Sequence, residues 1–398
     1  MAVAIVFTLW ALLQLNLAPV VQERTEYDHS RTVLEDMGAV QTDSVRATSA
    51  GLEQGTVIRV GSNYPNYLLL LQPSGPYGTI EMGERRSIAL ANAEAADPEA
   101  ADYLDGRTLT YRVQPFRYSP SYHQFEDPPD YVLSGSTLVA RYEDRTKVVA
   151  SPTVVEGRRI SLIGSRGEFS LTTTAPTTIH TEPLSGAPAT VPVTDDGSSP
   201  ITIRIPTRLS KARWTELLAS EIDADTSAAS PSTDHDGRFV AELELDDSTS
   251  PNTLAIHLES GVVYQLDAAL LGYRTGHQAP FNASAYPGPR YLVADSDRRP
   301  VVVEENTAEL TVQVRDRYHN PRGNVKVSAT VLGDGSLDRI EALTDDEGTV
   351  TFEYTAPEIE APTGSTNAET HSVRVQVSGE SGAAYTVVFE VQVQNAYD

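Results

Sequence analysis

The chain has 398 residues, no cysteine, and 55 acidic against 30 basic residues, a formal net charge of −25. Disulfides and thiolate metal sites are excluded outright, and nucleic acid is not an expected partner, because a phosphate backbone needs clustered cations. Only Lys147, Lys211 and Lys326 stand beside 27 arginines, and such acidity suits molar salt, where screening falls to about 3 Å and surface self-repulsion fades.

Met1 to Val21 carries no charged side chain. At 1.5 Å per residue this run makes roughly 31 Å of helix, close to the hydrocarbon thickness of a bilayer, so residues 1–22 are expected to form a transmembrane helix. The run has neither the basic start nor the small-residue cleavage site of a secretory signal. An uncleaved single-pass anchor is therefore expected, with the bulk of the chain extracellular. Gln14 and Asn16 are compatible with a span because side-chain amides bond neighbouring helices, and breaks such as Pro19 are tolerated there. Residues 23–54 read as a helical stalk, since Gln22 to Ala50 holds no proline and only Gly38, with Val33, Leu34, Met37 and Val40 at spacings of three and four. The stripe is thin, which leaves a neighbouring subunit, the body or solvent as its environment. Gly51 and Gly55 end the helix.

Residues 55–200 read as an antiparallel β head, built from short β-branched or aromatic runs between Gly, Pro, Asp and Asn. Strands are expected at Thr56–Val60, Asn66–Gln72, Ser87–Leu90, Thr108–Val113, Thr137–Tyr142, Lys147–Ala150, Arg159–Ile163 and Glu168–Thr174. Asn92–Asp105 is a short helix or loop excursion. Tyr111 to Tyr131 gathers six aromatics among four prolines, with Tyr118, Tyr122 and Phe125 as a candidate binding surface; the commoner use of such a cluster is a long loop pinned onto a sheet by its rings. Residues 201–271 read as a small α+β unit, in which Ser210 caps a helix that places Trp214, Leu217 and Leu218 on one face. Residues 272–300 read as a linker, and Asn282-Ala283-Ser284 makes Asn282 a candidate N-glycosylation acceptor.

Residues 301–398 alternate cleanly in Ala308–Asp316, Val325–Leu332, Gly348–Tyr354, Ser372–Ser378 and Tyr385–Gln394, with turn chemistry between them. This spacing predicts an immunoglobulin-type β-sandwich with an entirely aliphatic and aromatic core. Val314, Asp316, Asn320, Pro321, Val325 and Val327, followed by Asp345, Gly348, Phe352 and Tyr354, resemble the bacterial Ig-like domain of the invasin and intimin type. The resemblance implies turn and core roles for those residues and a spacer or display role for the domain. The preceding part, from YDHSRTVLEDM to IPTRLSKARWTELLASE, resembles haloarchaeal surface proteins with an archaellin- or pilin-like N-terminus, which implies a halophilic archaeon as source. In that family a basic segment with a processing site precedes the apolar run, whereas here the sequence begins inside it.

Phosphate loops, nucleophile elbows, H-E-x-x-H and paired zinc ligands each leave a compact trace, and none occurs. The eight histidines include no i, i+4 pair. Asp234-His235-Asp236-Gly237 and Asp345-Asp346-Glu347 are acidic turns with an incomplete calcium-loop spacing, read as solvated loop and hairpin. No catalytic, cofactor or metal residues are assigned, and no enzyme is expected. The expected fold class is mainly β: an N-terminal transmembrane and stalk helix, an antiparallel β body with one short helix, and the C-terminal Ig-like sandwich. The expected function is a structural or adhesive, pilin-like surface protein. The alternatives are a minor pilus or archaellum-type subunit and a module binding surface glycans or proteins. Its expected partners are the membrane, and other copies of itself, surface proteins or glycans.

Overall fold

The computed structural model describes residues 2–66, 73–104, 106–186, 189–223, 237–359 and 367–395, and among residues 1–13 the side chains of Thr8, Trp10 and Ala11. Two compact units emerge: residues 1–93, 108–187 and 194–282 form the first, and residues 94–107, 188–193 and 283–398 the second.

In the first unit α1 runs unbroken from Ala2 to Ala50 through Pro19. It stops where Gly51 takes φ +67 and its N–H bonds the Ala47 carbonyl at 3.0 Å, the left-handed ending that glycine adopts without a Cβ penalty. Among the described residues no helix is long and apolar enough to cross a membrane. Of the membrane span expected over 1–22, the side chains of residues 1–7, 9, 12 and 13 lie outside the described residues. From Gln22 onward α1 lies on the β body. Gln22, Glu26, His29, Val33, Met37, Val40, Ser44 and Ala47 are buried, and their spacing of three and four marks a single helical face.

The unit holds three sheets, of which the first two pack on that face. The six-stranded sheet runs, edge to edge, Ser170–Thr173, Tyr77–Met82, Phe116–Ser121, Asp130–Ser134, Thr137–Arg141 and Thr146–Ala150. Its inner face sends Ile80, Phe116, Tyr118, Tyr131, Leu133, Leu138 and Ala140 into one core with Val33, Met37 and Val40. A second sheet follows the order Gln54–Ile58, Thr177–Ser185, Tyr264–Thr275, Arg159–Arg166 and Val155–Glu156 along its main path. A third contains Val240–Asp246, Asn252–Leu258, Thr202–Thr207, Arg86–Ala91 and Leu109–Val113.

The body is not antiparallel throughout, because Arg159–Arg166 pairs parallel with Tyr264–Thr275. The long intervening segment supplies the crossover such pairing needs. It includes the seven-residue helix Lys211–Leu217, capped by Ser210, whose hydroxyl accepts from the Arg213 N–H at 3.3 Å and whose Trp214 is buried. Much of the aromatic segment expected as loop is also strand, since Phe116–Ser121 and Asp130–Ser134 pair with each other and the sheet continues on either side. The stretch 272–300 expected as linker contains the end of Tyr264–Thr275 and all of Pro289–Ala294. Gly272 is there for packing: a Cβ would sit 2.3 Å from the Phe281 ring.

The second unit is a β-sandwich. One sheet is ordered Pro289–Ala294, Thr307–Asp316, Thr349–Thr355, Ser336–Leu337; the other Val301–Val303, Thr386–Gln394, Ala368–Val377, Lys326–Val331, Glu341–Leu343. Four strands facing a sheet centred on the last two long strands, with a short parallel strand on its edge, is an immunoglobulin-like arrangement. Val312, Val314, Val327, Phe352, Tyr354, Val375, Phe389 and Val391 fill its core. Residues 94–107 contribute a short helix, Ala101–Leu104, whose Tyr103 stacks on Tyr291 at 6.0 Å between centroids.

Candidate functional site

The turns that carry the Ig-like resemblance are structural. Asp316 Oδ1 accepts from the backbone N–H groups of Tyr318 (2.7 Å) and Asn320 (3.2 Å), and Asp345 Oδ1 from that of Thr349 (2.7 Å). The Asp316–Tyr318 bond is that of an Asx turn, and the Asp345–Thr349 bond closes the hairpin turn over four residues. No group of three or more metal-ligating side chains occurs among the described residues. The Asp234–Asp236 turn lies outside them.

Two places concentrate polar chemistry in the first unit, and the first is the seam beneath α1. Glu26 accepts backbone N–H bonds from His123 (2.7 Å), Gln124 (2.8 Å) and Phe125 (2.7 Å), and the Tyr64 hydroxyl donates to it as well. Burial by itself would raise the pKa of Glu26, but these four donors favour the charged form and hold the carboxyl below its ordinary value. Further along, Asp36 accepts from the backbone N–H and Nε of Arg59 at 2.9 and 3.0 Å, and the Ser44 hydroxyl lies 2.8 Å from that of Tyr273. His29 bonds Tyr122 and the Arg59 carbonyl.

The three aromatics expected as a binding surface divide. Tyr118 is fully buried and its hydroxyl donates to the Val60 carbonyl at 3.1 Å, so it forms no part of a surface. Tyr122 and Phe125 are half-buried against α1, Tyr122 edge-on to His29 and Phe125 edge-on to Tyr27 at 5.6 Å. They pin the segment to a helix, where the sequence suggested a sheet. Asn282 is exposed, just before a turn of 3₁₀ helix at Ala283–Ala285.

The second place had no sequence signal, because its residues come from strands far apart in the chain. The side chains between the core positions of the six-stranded sheet point to its other face. There Glu81, Arg117, Val132 and Val139 are successive cross-strand neighbours, with Asp130, Arg141 and Thr146 alongside. All of these but Asp130, together with Ile88, Val113, Leu162, Ile205 to Leu209 and Trp214, enclose a cleft of about 420 Å³, a volume that suits a small organic molecule. Arg86, Arg117, Arg141 and Arg208 line it, with Glu81 and Glu84. Arg117 and Arg141 both donate to Asp130, whose burial would raise its pKa but whose arginine partners hold it below the usual carboxylate range.

No known protein family and no curated protein matches the sequence. Solved structures overlap it in part. The D00–D0 domains of intimin share 12% identity over 39% of this chain and 85% of theirs, with a TM-score of 0.22. The Yersinia pseudotuberculosis adhesin InvE shares 12% over 59% and 56%, with a TM-score of 0.19. Domains 4 and 5 of the S-layer protein SbsC share 16% over 35% and 63%, also at 0.19. Likeness at this level defines no shared function.

Proposed function

We propose that this chain is a non-enzymatic surface protein, held at a membrane or in a fibre by the first part of α1, with its β units outside in a structural or adhesive role. One observation carries this reading: α1 is continuous, yet among its described side chains the buried ones begin only at Ala18. Leu15, Leu17 and Val20 are 74, 47 and 59% exposed, and Trp10 is also exposed. Large apolar side chains grouped on an exposed helix mark a lipid or protein contact, and the uncharged sequence of residues 1–21 fits both. The seam fixes the other end of α1, so a pull on its first part is transmitted to the folded body through Glu26, Asp36 and Ser44. The acidic surface suits an exterior at high salt, and Asn282 is available there as a glycosylation acceptor. The partners on this reading are the membrane or other copies, together with surface proteins or glycans.

The test is fractionation of cells making the full chain or a 2–21 deletion. The full chain is expected with the envelope and released only by detergent, and the deletion in the soluble fraction. Recovery in sheared, detergent-free fibres identifies the filament alternative. Full-length chain free in the cytosol overturns both.

A further inference from the structure

We propose that the arginine-lined cleft binds a singly charged, carboxylate-bearing sugar, with Arg208 taking the carboxylate. The charges around the cleft decide the ligand's charge. Arg86 pairs with Glu84 at 3.0 Å, Arg117 with Glu81 at 3.4 Å, and Asp130 is shared by Arg117 and Arg141. Four lining arginines are therefore set against three carboxylates, Glu81 and Glu84 in the lining and Asp130 as the ion-pair partner of Arg117 and Arg141 (4 − 3 = +1). Among the described residues Arg208 has no carboxylate partner, and it is exposed at the turn after Thr202–Thr207. One uncompensated guanidinium matches a monoanion, and its planar fork fits a carboxylate; a dianionic phosphate would be left half neutralised.

The neutral groups decide the body of the ligand. Ser134, Thr137 and Thr146 are half-buried along the cleft and, among the described residues, their hydroxyls have no partner. The Nε–H of Arg117 is buried and also lacks an acceptor. Unmet donors and acceptors of this kind favour a ligand rich in hydroxyls, because an acyl chain would leave them unpaired at a cost. Val132, Val139, Leu209 and Trp214 supply the apolar surface on which the ring faces of a sugar can lie. This inference does not depend on how the chain is anchored.

The experiment titrates the purified chain with sodium glucuronate, methyl glucoside and sodium hexanoate by calorimetry, at the lowest salt that keeps it folded. Saturable binding of glucuronate is expected, with methyl glucoside and hexanoate at least about tenfold weaker. Arg208→Gln, an exposed change, should weaken glucuronate by about tenfold with an unaltered circular dichroism spectrum, while Arg299→Gln in the sandwich leaves it unchanged. Thr137→Val should weaken it by a few-fold, about the loss of one neutral hydrogen bond, which tests the hydroxyl contribution independently. Equal binding of methyl glucoside overturns the role of the carboxylate. Tighter binding of hexanoate overturns the sugar, and no binding of glucuronate, or none of the losses in the variants, overturns the site.

Discussion

The Nδ1 atom of His29 lies 2.8 Å from the phenol oxygen of Tyr122. The same ring's Nε2 is 2.8 Å from the Arg59 carbonyl, which can only accept, so the proton sits on Nε2 and Nδ1 accepts from Tyr122. One imidazole thus joins α1, the turn after Gln54–Ile58 and the aromatic segment. Tyr122→Phe removes the donor and leaves Nδ1 unsatisfied, which should cost about 1–2 kcal/mol. A urea titration at pH 7.5 checks this, and a midpoint equal to that of the parent would show that the bond is not formed.

Acid should destabilise the chain through two buried histidines. Burial lowers the pKa of His29, although the Arg59 carbonyl and Asp36 oppose it, and burial lowers that of His319 to about 3. The unfolded chain protonates both near 6.5, so their stabilisation is whole above that pH. It is lost progressively as pH falls, and the loss through His319 ends only near 3. Each contributes a slope of up to about 1.4 kcal/mol per pH unit. His319→Asn should remove one such slope between pH 6 and 4, and asparagine tolerates the φ of +66 at this position. Denaturant midpoints across that range measure it; an unchanged slope would show that His319 titrates normally in the fold.

How much of this was legible in the sequence depended on whether the signal was local. The helix end at Gly51, the Ser210 cap, the sandwich strands and the Asp345–Gly348 turn each rest on neighbouring residues, and the structure has them there. The stripe Val33, Met37 and Val40 was visible as well, but Glu26, His29, Asp36 and Ser44 on the same face were not, because burial of a polar group is decided by a partner distant in sequence. The strand Phe116–Ser121 was hidden by Pro115 and Pro120, which lie before it and near its end. Arg117 carried no sign of a cleft, since Asp130, Arg141 and Arg208 reach it only through sheet register and a crossover.

Glu26 should be the most costly single residue of the seam. Glu26→Ala leaves the N–H groups of His123, Gln124 and Phe125 without their acceptor, a loss on the order of 3 kcal/mol or more. Amide hydrogen exchange at 123–125 should accelerate in this variant, together with a lowered thermal midpoint. Unchanged protection at those three amides would contradict the arrangement.

Gly348 tests whether the hairpin of the sandwich is held as tightly as its geometry implies. It takes φ +71, and a Cβ there would lie 2.6 Å from the Arg322 nitrogen and 2.8 Å from the Val314 carbonyl oxygen. Both neighbours are backbone held by ladder bonds, Val314 N–H to the Gly348 carbonyl and Arg322 N–H to the Val314 carbonyl, each 2.8 Å, so neither can retreat cheaply. Gly348→Ala therefore combines a left-handed backbone penalty with a clash, about 2–4 kcal/mol together. Asp345→Ala loses only the bond to the Thr349 N–H, about 1 kcal/mol. Exchange protection of the Val350 and Phe352 amides should fall much further in the glycine variant than in the aspartate one, and the reverse order would mean that the side-chain turn, not the backbone approach, fixes this hairpin.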